Sequence, residues 1–330
     1  MIGLAKKQLA GEELSVISGV IVVDKPAEKT SFDVIREVRK SLGIRKIGHT
    51  GTLDPIATGV LPLCINEATK MAAFLTDDDK EYRATMELGV KTDTQDITGA
   101  VIATRNFEEV TRETVETLVK SFQGTVQQKI PRYSAAKYRG KPYHRWTREG
   151  VYLDTPEKEI TIRAIDVECF SPPYVTFRVT CSKGTYIRAL CDDMGERLGC
   201  GAVLAGLRRT RSGSFDEEDA LSLDHMTDRG GLSLVKDKIV PLKDVLGDLA
   251  VLHISDALAR SIRDGCQPER RHLQDVVFPD LERGDLVRFI AGDSDIIAVA
   301  RMLLSQKDFA AAHDKEQVFK LVRVFNGHIV

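Results

Sequence analysis

Hydrophobic and polar residues alternate in two stretches of the chain, and each stretch predicts a half-buried β-strand. From Tyr82 to Val90 every second residue is apolar or aromatic, which places the Tyr82 ring on the inward face. The same alternation returns from Val175 to Cys181. A continuous β-rich run from Ser18 to Val23 predicts a third strand, because it ends at a turn signal around Pro26.

A period of about 3.6 residues predicts three helices. The first follows a capping pair, Thr30 and Asp33, and ends at Gly43. The second spans 111–122, and the third follows Gly184 and carries Leu190, Met194 and Leu198 on one face.

Other segments have no clear periodicity. Residues 47–62 contain three glycines and two prolines, which is typical of a loop. Residues 216–249 are acidic and also indicate a loop. The final 80 residues hold short β-rich pieces separated by turn signals, which predicts a small β-barrel.

Composition indicates an ordinary soluble globular protein. The chain has 330 residues, of which 42% are hydrophobic and 29% charged, enough for two domains. No apolar run approaches the roughly 20 residues that cross a bilayer, and acidic residues interrupt the N-terminus where a signal peptide would be apolar. We therefore expect a cytoplasmic protein. The six cysteines form no CxxC pair, so neither a zinc site nor a redox motif is expected.

One segment concentrates positive charge. Between residues 129 and 150 seven basic residues face Glu149 alone: Lys129, Arg132, Lys137, Arg139, Lys141, Arg145 and Arg148. Four aromatic residues are threaded through them, namely Tyr133, Tyr138, Tyr143 and Trp146. Basic groups bind phosphates and aromatic faces stack on unpaired bases, so the pattern favours RNA over a merely solvated loop.

The candidate chemistry lies around Asp54, a carboxylate in a loop rich in glycine, threonine and proline, with His49 nearby. The simplest alternative is an Asx turn, in which Asp54 caps its own backbone. A metal site would need further ligands, and a phosphotransfer site would need a glycine-rich phosphate cradle. The glycine-rich segment 199–206 follows a helix instead of a strand, which is wrong for a dinucleotide site.

Two downstream segments add candidate side chains. In an extended segment 181–190, Tyr186 and Arg188 share one face and can project into one pocket. Their alternatives are a core tyrosine and a surface cation. In segment 207–213 Leu207 precedes a basic triplet, which by itself says little.

Taken in order, these segments resemble the motifs of TruB-type pseudouridine synthases. The residues that carry the resemblance are GHTGTLDPIATGVLP at 48–62, DKP at 24–26, TSFD at 30–33, KEYRATMELGVKTDTQD at 80–96, YSAAK at 133–137, CSKGTYIRALCDDMG at 181–195 and LRRT at 207–210. The tail, with GDLVRF at 284–289 and IAVARM at 297–302, resembles a divergent PUA domain.

The resemblance implies an α+β fold, a mixed and mainly antiparallel sheet flanked by helices, with a small C-terminal β-barrel. It implies an N-terminal extension at 1–17 and a catalytic domain at 18–249. A basic thumb-like segment lies at about 127–155, and a PUA-like RNA-binding domain at 250–330.

The implied activity is conversion of uridine to pseudouridine at position 55 of the tRNA T-loop, without cofactor, metal, membrane or protein partner. Asp54 falls on the catalytic aspartate. The resemblance also implies that His49 replaces the flipped base in the stack and that Tyr82 stacks on the uracil. Arg188 is expected to pair with the aspartate, and Tyr186 to lie beside it in the pocket. Leu207 is expected to form part of the pocket wall, and Lys25 to act as a structural support. The alternatives are a non-catalytic RNA-binding or tRNA-folding protein and a metal-dependent nuclease.

Three positions depart from the pattern of the family. Glu28 stands where the family has glycine, and it would resist a positive φ if the loop requires one. Ile130 replaces a proline, and His144 replaces a tyrosine, with Tyr143 one place earlier. The last two lie in the thumb-like segment, so they concern the grip on RNA.

Overall fold

The computed structural model describes residues 18–228, 231–292 and 295–325, so the predicted N-terminal extension 1–17 lies outside the described residues. Eleven strands form its main sheet, whose central order is β14-β1-β3-β12-β4-β11-β10-β7. The strands are β1 Gly19–Lys25, β2 Ile47–His49, β3 Thr58–Ile65, β4 Lys80–Leu88, β7 Gly124–Lys129, β10 Glu157–Ser171, β11 Tyr174–Cys181, β12 Ala202–Ser212, β13 Phe215–Asp216, β14 Leu221–Ser222 and β15 Val240–Pro241. Two hairpins stand apart, formed by β5 Val90–Thr92 with β6 Val101–Thr104, and by β8 Lys137–Tyr138 with β9 Lys141–Pro142.

The sheet is mixed and mainly antiparallel, as expected. Only β1 with β14 and β3 with β12 pair in parallel among these strands. The predicted strands are confirmed, and the inward positions of β4 and β11 are buried. Alternate residues of β1 enter two different cores, which explains why its sequence is apolar without interruption from Val20 to Val23.

Helices cover the sheet. They are α1 Ser31–Leu42, α2 Ala72–Thr76, α3 Arg112–Lys120, α4 Tyr143–Arg148, α5 Ile187–Arg197, α6 Leu223–Thr227, α7 Gly231–Lys238, α8 Leu242–Val245, α9 Asp256–Arg263 and α10 Gln306–Ala311. The three predicted helices correspond to α1, α3 and α5. Helix α1 begins with the predicted capping box between Thr30 and Asp33 and ends at Gly43, which has a φ of 71°. Within the described residues no helix is long and apolar enough to cross a membrane.

Two predicted loops are wrong in part. Within 47–62 only residues 50–57 form a loop, because β2 precedes them and β3 begins at Thr58. Gly59 lies inside β3 with a φ of 99°, and a side chain there would collide with the backbone of Arg209 in β12. Glycine is therefore required at position 59, because the two strands approach each other closely there.

The acidic segment 216–249 is also more ordered than its composition suggests. Short helices α6, α7 and α8 place Leu223, Met226, Val235 and Leu242 in the cores. The charged residues of these helices lie on the solvent side. Because charged residues dominate the composition of the segment, the composition does not show the few apolar residues that pack into the cores.

The C-terminal part contains a four-stranded sheet in the order β16-β17-β18-β19. Its strands are β16 Ala250–His253, β17 Leu286–Ala291, β18 Asp295–Met302 and β19 Phe319–Val324. The predicted barrel is not confirmed, since the outer strands β16 and β19 do not pair in the part of the chain that the structure describes. One face of this sheet has its own core, while Ile296, Val299 and Phe325 pack into a core shared with β1 and β3.

Candidate active site

The loop between β2 and β3 carries Asp54, and contacts on both sides of the aspartate fix that loop. Ser31, the first residue of α1, accepts a hydrogen bond from the Leu53 amide (2.9 Å) and donates one to the Leu53 carbonyl (3.3 Å). The Ala57 amide donates to the Asp54 carbonyl at 3.0 Å. The backbone of Asp54 is therefore tied down while its carboxylate, 38% exposed, remains open.

Lys25 supports the same loop from below. Its side chain is fully buried, and its ammonium group donates to the carbonyls of Pro26 (2.8 Å), Lys29 (2.5 Å) and Pro55 (3.4 Å). Burial lowers the pKa of Lys25 to about 8. These contacts tie the Lys25 side chain to the loop that carries Asp54, and its role as a structural support stays a prediction.

Glu28 occupies a left-handed conformation, with a φ of 67°. Its amide donates to the Pro55 carbonyl at 2.8 Å, next to the aspartate. The loop thus does require a positive φ here, at a cost of roughly 1–2 kcal/mol for a residue with a Cβ atom.

Arg188 meets Asp54 from a distant part of the chain. It lies in the first turn of α5, and its Nε donates to the Asp54 Oδ2 at 3.1 Å. Its other two nitrogens donate to the backbone carbonyls of Thr94 (3.2 Å) and Tyr133 (2.6 Å). With only 5% of its side chain exposed, Arg188 is held from three directions. A guanidinium fixed in this way holds the carboxylate oxygen that it contacts in a defined position.

Both side chains of this pair line a cavity of about 510 Å³. The cavity also receives most of the other predicted site residues. Its lining includes Asp54, Tyr82, Tyr133, Ser134, His144, Arg148, Tyr186, Arg188, Leu207 and Arg209. Cavities of this size typically hold a small organic ligand, and a nucleoside belongs to that class.

Tyr82 and Leu207 reach the cavity from neighbouring strands β4 and β12. Tyr82 is 9% exposed, and burial raises the pKa of its hydroxyl. Leu207 is partly buried and packs against the main core. The ring and the aliphatic side chain therefore form an apolar part of the wall.

The extended conformation expected for 181–190 is wrong. Strand β11 ends at Cys181, Gly184 adopts a φ of 78°, and a helix begins at Ile187. Tyr186 precedes this helix and Arg188 lies inside it, so the two do not share a strand face. Both nevertheless reach the cavity, where the guanidinium carbon lies 5.8 Å from the centre of the tyrosine ring.

His49, like Lys25, is a predicted substrate-site residue that does not line the cavity. It ends β2, five positions before Asp54, and its Nδ1 accepts a hydrogen bond from the Gly51 amide at 3.3 Å. Burial, with a further contribution from the charge of Arg209, lowers the pKa of His49 and favours its neutral form.

The metal alternative for Asp54 has no support in the described residues, which contain no cluster of three or more metal-binding side chains.

Sequence reasoning missed three buried polar residues around the cavity. Gln128 holds Tyr186 by two hydrogen bonds, one to its amide (2.8 Å) and one to its carbonyl (3.0 Å). Lys80 and Arg209 line the cavity itself. Each stands in a segment that was recognised, but strand periodicity does not distinguish a charged side chain that is buried from an exposed one.

The basic segment borders the cavity at one end. Of its seven cations, Arg148 lines the cavity; Lys129 pairs with Asp154 at 2.8 Å, and Lys141 pairs with Glu149. The aromatic residues of this segment are less available for stacking on unpaired bases than expected. Tyr143 is buried, and Lys141 lies 4.1 Å from the centre of the Trp146 ring.

Comparison with known proteins agrees with this geometry. Residues 39–187 match the N-terminal domain of the TruB family of pseudouridylate synthases, and residues 188–246 match the C-terminal domain of tRNA pseudouridylate synthase B. The chain is 46% identical to tRNA pseudouridine synthase B of Syntrophus aciditrophicus over 94% of its length and 99% of that protein. It is 39% identical to tRNA pseudouridine synthase B of Geobacter sulfurreducens over 94% of its length and all of that protein.

Solved structures agree with the fold. A Cbf5-Nop10-Gar1 complex superposes with a TM-score of 0.72 at 27% identity, covering 96% of this chain and 87% of that one. An H/ACA RNP bound to a substrate RNA containing 2′-deoxyuridine gives 0.71 at 25% identity, covering 97% and 90%. By its sequence and its fold, the chain belongs to the TruB family of pseudouridine synthases.

Proposed function

We propose that this chain converts uridine to pseudouridine in tRNA, at position 55 of the T-loop, with Asp54 as the catalytic residue. The observation that carries the proposal is the ion pair between Asp54 and Arg188 in a cavity of nucleoside size. Relatives that cover nearly the whole chain are tRNA pseudouridine synthases.

The reaction breaks the bond between N1 and C1′, turns the uracil and joins C5 to C1′. Because the target base is stacked in the loop, the nucleotide must first be flipped out, which costs a few kcal/mol. Electron deficiency develops at C1′ as in glycoside cleavage, and a carboxylate suits it. Asp54 either attacks C1′ or removes the 2′ hydrogen, and Arg188 holds its carboxylate in position for both routes.

His49 has the properties needed to fill the gap left by the flipped base. Its ring is neutral and anchored at Nδ1, on the strand that leads into the catalytic loop. A neutral, immobilised ring can enter a stack of bases without strong desolvation of a charge.

Tyr82 is proposed to stack on the released uracil and keep it from escaping, while its hydroxyl takes part in removing the proton from C5. Replacing Tyr82 with phenylalanine keeps the ring, so we expect Kd for RNA to change by less than about threefold while single-turnover rate falls about 10–100-fold. Filter binding and rapid-quench assays measure the two quantities. Tyr174→Phe, at an exposed position in β11, is the matched control and should leave both unchanged. A loss confined to binding would contradict the role of the hydroxyl.

We also propose that residues 127–155 form a thumb that grips the RNA, with Arg148 nearest to the flipped nucleotide. Ile130 and His144 then alter how tightly the thumb holds RNA and leave the chemistry at Asp54 intact. His144 supports this view, because its Nδ1 and its backbone amide both bond to the Ser134 carbonyl and fix the thumb at the cavity edge.

The proposed PUA-like domain, 250–330, would bind tRNA outside the T-loop. Arg301 and Lys320 are opposite each other in β18 and β19, and both are exposed. Reversing both charges should weaken binding of full-length tRNA about tenfold and spare turnover of an isolated T-stem-loop. Equal affinity of the double variant and the parent for tRNA would argue against this surface.

The direct test of the proposed function is incubation of the protein with a T-stem-loop transcript, followed by digestion and mass spectrometry after cyanoethylation. Pseudouridine should form in the presence of EDTA, and a transcript with cytidine at the target position should stay unmodified. Shortened RNA that disappears with the chelator would indicate a nuclease. Tight binding without any product would indicate an RNA-binding or tRNA-folding protein.

A further inference from the structure

We propose that Arg209 and Lys80 form a buried cationic floor of the cavity that stabilises the uracil anion released when the N1–C1′ bond breaks. The inference rests on the proposed function and assigns a chemical task to two residues outside the Asp54–Arg188 pair. We use the term cationic floor for these two side chains only.

Both cations are buried without a counterion. Arg209 is 1% exposed and Lys80 is 5% exposed. Arg209 donates through Nε to the Val60 carbonyl (2.6 Å) and through Nη2 to the Gly51 carbonyl (3.2 Å). Among the described residues no carboxylate lies within ion-pair distance of either cation, although Asp78, Asp77 and Asp79 act on Lys80 from farther away.

Backbone carbonyls satisfy the hydrogen bonds of Lys80 in the same way. Its ammonium group donates to the carbonyls of Asp78 (2.5 Å), Thr76 (2.7 Å) and Leu75 (3.5 Å). Carbonyls solvate a cation but carry no net negative charge. Since buried charges in proteins are usually paired with an opposite charge, two unpaired cations side by side need an explanation.

The two cations lie next to each other and next to the cavity. A Cβ atom at Gly51 would lie 3.3 Å from the Arg209 Nη1 and 3.9 Å from the Lys80 Cε, so both side chains meet beneath the catalytic loop. Arg209 is the register partner of Tyr82 on the neighbouring strand. The guanidinium also interacts with the Tyr82 hydroxyl, so its charge lies beside the ring that is proposed to stack on the base.

The electrostatic effect of Arg209 reaches the groups around it. Burial raises the pKa of Tyr82, and the positive charge of Arg209 is the largest opposing influence. Burial lowers the pKa of Lys80, and Arg209 lowers it further. The positive charge of Arg209 thus partly offsets the cost of placing a negative charge beside the Tyr82 ring.

The proposed reaction creates such a charge. When N1–C1′ breaks, the bonding electron pair leaves with N1, and the uracil carries a negative charge delocalised over O2 and O4. This holds whether Asp54 attacks C1′ or removes the 2′ hydrogen. The charge disappears when C5 bonds to C1′. In the first route the bond between Asp54 and C1′ breaks and its electron pair returns to the carboxylate, and in the second route C2′ takes its proton back from Asp54. C5 then loses its proton and N1 gains one, which gives neutral pseudouridine. Fixed cations that act on a transient anion in a water-poor site lower the barrier to its formation.

The test compares two leaving groups in one variant. Fluorine at C5 stabilises the departing anion, so 5-fluorouridine should depend less on the cationic floor than uridine does. We expect Arg209→Met to lower the single-turnover rate on a uridine T-stem-loop about 100-fold, and the rate of 5-fluorouridine loss about 10-fold or less. Arg209→Lys, which keeps the charge, should recover most of the rate, and Kd should stay within about threefold of the parent.

Arg208→Met is the matched control, because Arg208 is the adjacent arginine of β12 and its charge is paired with Asp24 at 3.0 Å and with Glu217. The Arg208→Met substitution should lower the rates on the uridine and 5-fluorouridine substrates by the same small factor. If Arg209→Met does not fold by circular dichroism, Lys80→Met takes its place in the same comparison.

The proposal of a cationic floor is wrong if Arg209→Met slows the reaction of both substrates by the same factor, or if it changes only Kd, in an assay where the parent protein makes pseudouridine. A parent that makes no pseudouridine would instead overturn the proposed function, and the two failures are therefore distinct.

Discussion

Replacing Asp54 with asparagine should abolish pseudouridine formation. Asparagine has nearly the same shape but cannot carry the negative charge that either route requires, so we expect the single-turnover rate to fall by at least about 10⁴-fold. The measurement is single-turnover formation of pseudouridine in a T-stem-loop, with enzyme in excess over RNA.

RNA binding should survive this change, because the carboxylate is one small part of the protein surface that contacts the RNA. We expect Kd to stay within about tenfold of the parent. Asp166→Asn, which removes an exposed carboxylate of β10 far along the sheet, is the control and should be fully active. Residual product above about one part in a thousand of the parent rate would rule out Asp54 as the sole catalytic group.

Replacing Arg188 with methionine should have the second largest effect. The change removes the charge beside Asp54 and also leaves the carbonyls of Thr94 and Tyr133 without their donor. We expect the single-turnover rate to fall about 10³-fold, since the acid is no longer held in position.

The same variant should lose stability. Breaking a fully buried ion pair costs about 3–5 kcal/mol, but Asp54 is 38% exposed and water screens it, so about 1–3 kcal/mol is the expected loss in free energy of unfolding. Urea denaturation measures it. Arg188→Lys restores the charge but cannot donate in three fixed directions, so it should recover only part of the rate.

Arg178→Met provides the comparison for Arg188. Arg178 is an exposed arginine of β11 that pairs with Glu81 and Glu168, each at 2.8 Å. Its loss should cost less than about 1 kcal/mol and leave the rate unchanged. If Arg188→Met behaved like Arg178→Met, the ion pair would have no part in catalysis.

Both predictions join residues that sequence spacing could not bring together. Asp54 and Arg188 are separated by 134 positions. They meet because β3 and β12 pair in parallel at Thr58, while α5 packs against β12 and carries Arg188 toward the catalytic loop. The family resemblance implied this pair, but the three-way fixation of the guanidinium follows from carbonyls at Thr94 and Tyr133, which no side-chain pattern signals.

Local periodicity determined much of the fold by itself. The alternation in β4 and β11 and the helical spacing in α1 predicted which residues are buried, because a half-buried element must repeat its apolar residues with its own period. The capping box at Thr30 was likewise readable, since all of its groups lie within four residues.

Only the tertiary structure decided which polar side chains are buried and what they face. Arg209 and Lys80 look like ordinary strand cations in the sequence, yet the pairing of β12 with β4 and the loop above them remove both from water. Residues 47–62 looked like one loop, yet pairing with β1 drew Gly59 and Pro62 into a strand. In each case the environment is supplied by segments distant in sequence, and a local pattern contains no information about them.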